Sequence, residues 1–158
     1  VIRKKTAALF TASAESGAIS VNAPQDEIKK AALFGEMIGI AFQIKDDIFD
    51  YFDNEELGKP TGNDMMEGKL TLPALHVLNA CADEAKKELA LRIRSLSASK
   101  EEIAGFVDYV KQEGGIVYAE KVMYDYRNKA LALLPESADE AIRAALTAYI
   151  DYVIERNK

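Results

Sequence analysis

Apolar residues recur every three to four positions along almost the whole chain, and the alternation typical of strands is nearly absent. A period of about 3.6 residues places such positions on one side of a helix. Prolines and a glycine pair interrupt the pattern, which therefore predicts about seven helices joined by short turns. They run from about Arg3 to Val21, Pro24 to Asp53, Pro73 to Ala80, Asp83 to Leu96, Ser99 to Gln112, Ile116 to Leu134 and Ala138 to Arg156. We expect an all-α fold, a helical bundle forming one domain.

Three aspartates, Asp46, Asp47 and Asp50, cluster near the end of the second predicted helix, in a segment that is otherwise apolar. Residues three and four apart lie on the same side of a helix, so these carboxylates repel one another unless a cation lies between them. Carboxylate oxygens are hard ligands and the cluster contains no His or Cys, which favours Mg²⁺ over zinc or copper. A solvated acidic helix end is the alternative that the bare pattern leaves open.

The loop that follows the aspartates contains Lys59 between Gly58 and Pro60, and Gly62 lies three residues after Lys59. These residues favour a tight turn, which brings an ammonium group back over the carboxylates. Such a lysine complements a diphosphate that Mg²⁺ bridges to the aspartates. An ordinary exposed loop lysine is the alternative; the spacing argues against it for Lys59 and leaves it open for Lys69.

Three stretches of the chain together resemble the C-terminal half of the trans-isoprenyl diphosphate synthases, the polyprenyl synthetase family. The stretches are Phe42-Gln43-Ile44-Lys45-Asp46-Asp47-Ile48-Phe49-Asp50-Tyr51, Gly58-Lys59-Pro60-Thr61-Gly62-Asn63-Asp64 and Glu67-Gly68-Lys69-Leu70-Thr71-Leu72-Pro73-Ala74-Leu75. Bacterial long-chain members such as the octaprenyl diphosphate synthases have the most similar pattern. The resemblance implies that residues 1–158 are the C-terminal portion of one domain with the isoprenoid synthase fold.

The resemblance also implies a metal site. Asp46, Asp47 and Asp50 match the second aspartate-rich motif of the family, which holds Mg²⁺ against the allylic diphosphate. Asp64 matches a loop aspartate that we expect to contact a metal-bound water rather than the metal. Asn63 departs from the pattern, since long-chain members often have aspartate there, and we expect little loss from this change.

Six residues match positions through which the family binds or activates its substrates: Lys5, Thr6, Phe42, Gln43, Lys59 and Lys69. Lys5 and Lys59 are expected to contact the allylic diphosphate, and Thr6 and Gln43 to turn their oxygen atoms toward the reacting carbon. These four carry the implied catalytic roles, while Phe42 and Lys69 are expected only to bind substrate.

The implied reaction condenses isopentenyl diphosphate, the homoallylic substrate, with an allylic diphosphate. The first aspartate-rich motif of the family, its following arginines and its homoallylic site have no counterpart here, and the chain begins at Val1 within a helical pattern. We therefore expect a fragment that is inactive alone and forms a homo-oligomer. Because product length in the family is set largely beside the first motif, these residues do not predict it.

Two other interpretations remain. A related terpene cyclase or head-to-head condensing enzyme also uses aspartate-rich helices with Mg²⁺, although the lysine pattern argues against it. A catalytically silent helical subunit or interaction module would have the same helices without turning over substrate.

The composition limits which partners the protein can bind and which cellular compartment it occupies. With 26 acidic and 20 basic residues, a net charge of −6 and a pI of about 4.9, the chain lacks the basic surface expected for nucleic-acid binding. No apolar run reaches the roughly 18 residues of a transmembrane helix. The single cysteine, Cys81, excludes an intramolecular disulfide, and we expect a cytoplasmic protein.

Gly35 and Gly39 form a pattern of small residues four apart on the second predicted helix. Such a pattern either allows close approach of another helix or leaves room for a prenyl chain. The sequence does not choose between these two interpretations.

Overall fold

The computed structural model describes residues 6–52, 61–135 and 138–156, and all regular structure in these ranges is helical. The eight helices are α1 (Ala8–Ser20), α2 (Gln25–Phe49), α3 (Asn63–Met66), α4 (Leu72–Ala80), α5 (Glu84–Arg94), α6 (Lys100–Gln112), α7 (Gly115–Ala132) and α8 (Glu140–Glu155). The prediction of an all-α fold is confirmed.

The seven predicted helices correspond to α1, α2 and α4 to α8, mostly with ends within a few residues of those expected. The start of α6 follows directly from local sequence. The Ser99 hydroxyl accepts the Glu102 N–H at 3.2 Å, and the Glu102 carboxylate accepts the Ser99 N–H at 2.8 Å. This capping box satisfies two N–H groups that a helix start leaves without intrahelical partners.

Two predictions about the helices were wrong. The four-residue helix α3 was not predicted. The second helix was predicted to extend to about Asp53, whereas α2 ends at Phe49 and Asp50 lies in the turn that follows. Both errors concern the segment that carries the candidate site.

The chain divides into two compact units. One joins the part before residue 46 with the part after residue 120, and the other holds Asp46–Glu120.

In the first unit, α1 lies against α2 at Gly35 and Gly39. A Cβ atom on Gly39 would lie 2.5 Å from the Cα of Ala7, and one on Gly35 would lie 2.7 Å from the carbonyl carbon of Phe10. Since Cβ atoms do not approach backbone this closely, glycine is required at both positions. The glycine pair therefore serves close helix approach, the first of its two interpretations.

Polar contacts join α7 to α8 in the same unit. The Arg127 guanidinium donates to Asp151 at 2.6 Å. Arg143 donates to the carbonyl oxygens of Leu134 and Pro135, just beyond the end of α7. The Arg143 hydrogen bonds thus link α8 to the segment that follows α7.

In the second unit, α3, α4 and α5 pack against α6. One side of α6 is buried completely or nearly so, through Ile103, Phe106, Val107 and Val110. These positions are three and four apart, as the helical period requires. The core of this unit is therefore built around α6, beside the turn that follows α2.

Within residues 6–52, 61–135 and 138–156, none of the helices combines the length and apolar character needed to cross a membrane.

Candidate active site

The acidic end of α2 differs in burial from residue to residue. Asp47 is only 5% exposed, whereas Asp46 and Asp50 are partly exposed. Just after the end of the helix, the Asp50 carbonyl accepts a hydrogen bond from the Gly62 N–H at 2.7 Å.

The Asp50 carboxylate caps the short helix α3. Its Oδ1 accepts the Asn63 N–H and its Oδ2 accepts the Asp64 N–H, each at 3.0 Å. These are N–H groups of the first turn of a helix, which need partners from outside it. Burial raises the pKa of Asp50, and the two amide hydrogen bonds oppose that effect.

Gly62 makes this turn possible. It adopts φ +80°, a left-handed conformation that residues with a Cβ rarely take. A Cβ at this position would also lie 3.1 Å from Ile103 and 3.2 Å from Val107. The sequence signal for α3 was this glycine followed by Asn63 and Asp64, but four residues give no helical period to recognise.

Asp64 contacts Lys69 at the other end of α3. The Lys69 ammonium lies 3.5 Å from an Asp64 oxygen and also pairs with Glu67. The hydrogen bond to Glu67 is the main cause that raises the pKa of Lys69. The expected substrate-binding lysine is thus an exposed residue paired with two carboxylates beside the candidate site.

Thr6 and Gln43 meet within the first unit. The Thr6 hydroxyl donates to the Gln43 side-chain oxygen at 2.5 Å. The pairing joins the segment just before α1 to the middle of α2, residues 37 positions apart in sequence.

Phe42, next to Gln43, is held from two directions. The Phe10 ring lies 5.3 Å from it, and the Arg156 guanidinium lies 3.9 Å above it. Arg156 also contacts the Phe42 carbonyl oxygen at 3.5 Å. The contact of Arg156 with Phe42 was not predicted, because nothing in the local sequence connects residues 114 positions apart.

Tyr51 is a second residue that the sequence analysis missed. It is 1% exposed, and its hydroxyl lies beside Thr71 and the backbone of Ala74 without a well-aligned hydrogen bond to any described residue. This burial strongly raises the pKa of the Tyr51 hydroxyl. The ring therefore fixes the turn after α2 to the start of α4.

Lys5 and Lys59 lie outside the described residues, so their predicted contacts stay predictions. In the described part of the chain, no three His, Cys, Asp or Glu side chains are grouped to hold one metal ion. Of the residues predicted for the metal, Asp46 and Asp47 lie in the last turn of α2 and Asp50 directly follows the helix. Their carboxylate oxygens fit a hard divalent cation such as Mg²⁺.

The chain is similar along its whole length to characterised proteins of one family. The polyprenyl synthetase model matches residues 1–110. Geranylgeranyl diphosphate synthase of Sulfolobus acidocaldarius is 35% identical over 161 residues, covering 100% of this chain and 48% of the relative. Octaprenyl diphosphate synthase of Escherichia coli is 30% identical over 159 residues, covering 100% of this chain and 49% of the relative.

Solved structures agree with the sequence comparisons. Geranylgeranyl pyrophosphate synthase from Bacteroides thetaiotaomicron is 51% identical with a TM-score of 0.93, over 98% of this chain and 51% of that chain. Polyprenyl synthase from Caulobacter crescentus, complexed with calcium and isoprenyl diphosphate, is 30% identical with a TM-score of 0.87, over 99% and 48%. The chain spans about half the length of these relatives, and it belongs to the polyprenyl synthetase family.

Proposed function

We propose that these residues supply the allylic-diphosphate site of a Mg²⁺-dependent trans-prenyltransferase. The reaction breaks the bond between an allylic carbon and its diphosphate. The double bond of isopentenyl diphosphate then attacks that carbon, and loss of a proton gives a longer allylic diphosphate. The observation that carries this proposal is the acidic end of α2, where the Asp50 carboxylate accepts hydrogen bonds from Asn63 and Asp64.

Each candidate residue has a defined task in this proposal. Bound Mg²⁺ would supply positive charge that stabilises the departing diphosphate. Asp46, Asp47 and Asp50 would hold the cation, and Asp64 would contact a metal-bound water. Lys5 and Lys59 bind the remaining diphosphate oxygens.

Thr6 and Gln43 act on the carbon side of the broken bond. A hydrogen bond joins the two side chains, and the dipoles of their oxygens would stabilise positive charge that develops on the carbon. Phe42 is expected to contact the prenyl group beside them. Lys69 is proposed only as a secondary substrate contact, since Asp64 and Glu67 already pair with it.

The wider assignments belong to the same proposal. Residues 1–158 form the C-terminal portion of one isoprenoid synthase domain, because their aspartate cluster corresponds to the second aspartate-rich motif. The substrates are an allylic and a homoallylic isoprenoid diphosphate, and the protein acts as a homo-oligomer in the cytoplasm. The calcium and isoprenyl diphosphate in the Caulobacter crescentus relative support a divalent cation and a diphosphate as ligands.

Thermal shift with a bisphosphonate, a stable diphosphate analogue, tests the proposal. Mg²⁺ and the bisphosphonate together should raise the Tm, and Asp46→Ala should remove most of that rise. Asp108→Ala is the matched control, because this carboxylate lies on α6 with a side chain that is 70% exposed. Equal effects of the two substitutions would remove the basis for the metal site.

A further inference from the structure

We propose that Arg156, the residue directly after α8, is a positioning residue for the reaction. Its guanidinium holds the ring of Phe42 and, through that ring, the turn of α2 that carries Gln43. This inference rests on the proposed function and goes beyond it, because none of the proposed roles includes Arg156. It assigns Arg156 no contact with either substrate or with the cation.

The last turn of α8 fixes the backbone of Arg156. Val153 and Ile154 are only 5% and 1% exposed, and the Arg156 N–H donates to the Tyr152 carbonyl oxygen at 3.2 Å. The Nε atom of the Arg156 side chain is buried. Removing a guanidinium from water costs free energy unless other groups take the place of the water. Phe42 is one source of such groups.

Arg156 contacts both the ring and the backbone of Phe42. The guanidinium carbon lies 3.9 Å from the ring centroid, within the distance at which an aromatic face attracts a cation. An Nη atom lies 3.5 Å from the Phe42 carbonyl oxygen. Because the contacts include a side chain and the backbone of the same residue, Arg156 restrains both the ring and this turn of α2.

The pair Phe42-Gln43 is contacted from both ends of the chain. Thr6 donates to Gln43, and the Phe10 ring lies 5.3 Å from the Phe42 ring. Arg156 contacts the pair from the other end. Since Phe42 and Gln43 are neighbours on one helix, a shift of this turn moves the Gln43 oxygen as well. A displacement of about 1 Å is enough to slow a reaction about a hundredfold.

Steady-state kinetics of the enzyme that contains these residues tests the proposal. Arg156→Gln should lower kcat about tenfold or more and change the KM of either diphosphate less than about threefold, because both substrates still bind while Gln43 is displaced from the developing charge. A raised KM with an unchanged kcat would show that Arg156 binds a substrate directly, and would overturn the proposal. Unchanged kcat and KM would overturn it too.

Arg156→Lys is the conservative variant. It keeps a cation that can lie over the ring, so it should retain a higher kcat than Arg156→Gln. An equal loss of kcat in the two variants would count against the contact between cation and ring.

Arg143→Gln is the matched control on the same helix. Arg143 lies on α8 and donates to the carbonyl oxygens of Leu134 and Pro135, so its loss should lower the Tm without changing kcat. If Arg143→Gln lowered kcat as much as Arg156→Gln does, the loss would be a general effect of destabilisation and the proposal would be wrong.

Phe42→Leu tests whether Arg156 acts through the ring. In a Phe42→Leu background, Arg156→Gln should lower kcat less than about threefold, because the partner of Arg156 is already gone. A loss as large as in the unsubstituted enzyme would overturn the proposal.

Proton NMR of the 158-residue chain detects the contact without any activity. Protons over an aromatic face are shifted upfield, so the Arg156 side-chain resonances should be displaced and should return to ordinary positions in Phe42→Leu. Ordinary positions in the unsubstituted chain would overturn the proposal. If the enzyme transferred no prenyl group, the proposed function would fail, while the Arg156 resonances would still decide whether Arg156 holds Phe42.

Discussion

At the scale of single residues, neighbouring carboxylates have different surroundings although the sequence presents them as one motif. Asp47 is almost fully buried, while Asp50 is partly exposed and caps α3 with both oxygens. Burial of a carboxylate has to be offset by hydrogen bonds or a cation. The carboxylates of this motif are therefore not equivalent, and a nearby cation such as the Lys59 ammonium is expected to matter for diphosphate binding.

Lys59→Ala should weaken binding of the allylic diphosphate by about tenfold or more, as expected for loss of a charged hydrogen bond. Binding of the homoallylic diphosphate should change much less. Competition assays with analogues of each substrate measure the two losses in the enzyme that contains these residues. Lys87→Ala, an exposed lysine paired with Glu84 on α5, is the control; equal losses for both substrates would contradict an allylic role for Lys59.

Glu102 gives a pH dependence whose sign follows from its contacts. The Arg92 guanidinium, and then the Ser99 N–H, lower the pKa of Glu102 below its ordinary value of 4.5. A lowered pKa in the folded state adds stability above the ordinary value, and this is lost as the pH falls through the lowered one. The Tm of the unsubstituted protein should exceed that of Glu102→Gln above about pH 5, and the difference should shrink toward pH 3. A constant difference would show that the charge of Glu102 is not involved.

At the scale of helices, the contact between α1 and α2 depends on the absence of side chains. Gly35 and Gly39 face the backbone of Phe10 and Ala7, whereas Gly105 on α6 has no neighbouring atom within 4 Å of a Cβ built on it. The same substitution should therefore have opposite effects on the two helices.

Gly35→Ala should destabilise the protein by about 1–3 kcal/mol, the usual cost of overpacking. Gly105→Ala should stabilise it by up to about 1 kcal/mol, because alanine is the better helix former and meets no obstacle. Chemical denaturation measures both free energies of unfolding. A neutral Gly35→Ala would mean that α1 does not lie close against α2.

At the scale of the whole molecule, large apolar side chains remain exposed. Leu9 is 70% exposed, Ile19 53% and Val21 74%, and no residue within the bounds of α1 is buried. Exposed apolar surfaces larger than a few hundred Å² are unusual on monomers. Ile38 on α2 is buried within this chain, so it offers no surface for association. The exposed apolar side chains of α1 are therefore the better candidates for contact with a second copy.

The 158 residues expressed alone should therefore form a dimer or larger assembly and should not transfer a prenyl group, even with Mg²⁺ and both diphosphates. Light scattering coupled to gel filtration measures the mass, and replacing Leu9 and Ile19 by serine should reduce association. A clean monomer of 17.4 kDa at micromolar concentration would contradict the first part. Product formed by the 158 residues alone would contradict the second.

Local sequence determined most of the helices. Apolar positions with helical spacing predicted α1, α2 and α4 to α8, and the capping box at the start of α6 joins Ser99 to Glu102, only three positions away. These features depend on residues a few positions apart, so the sequence contains both partners within one short segment. The aspartates and Lys59 were predicted as candidates from their spacing, and the Phe42-Gln43 pair from the resemblance to the family.

Contacts between distant segments were decided only by the tertiary structure. The Asp50 carboxylate accepts amides 13 and 14 positions away and so caps α3. The choice between two interpretations of Gly35 and Gly39 needed the backbone of α1, and the position of Arg156 over Phe42 needed a contact across 114 residues. The sequence by itself determined which residue types and helical faces are available, because these depend on local spacing; which groups meet depends on how the chain packs.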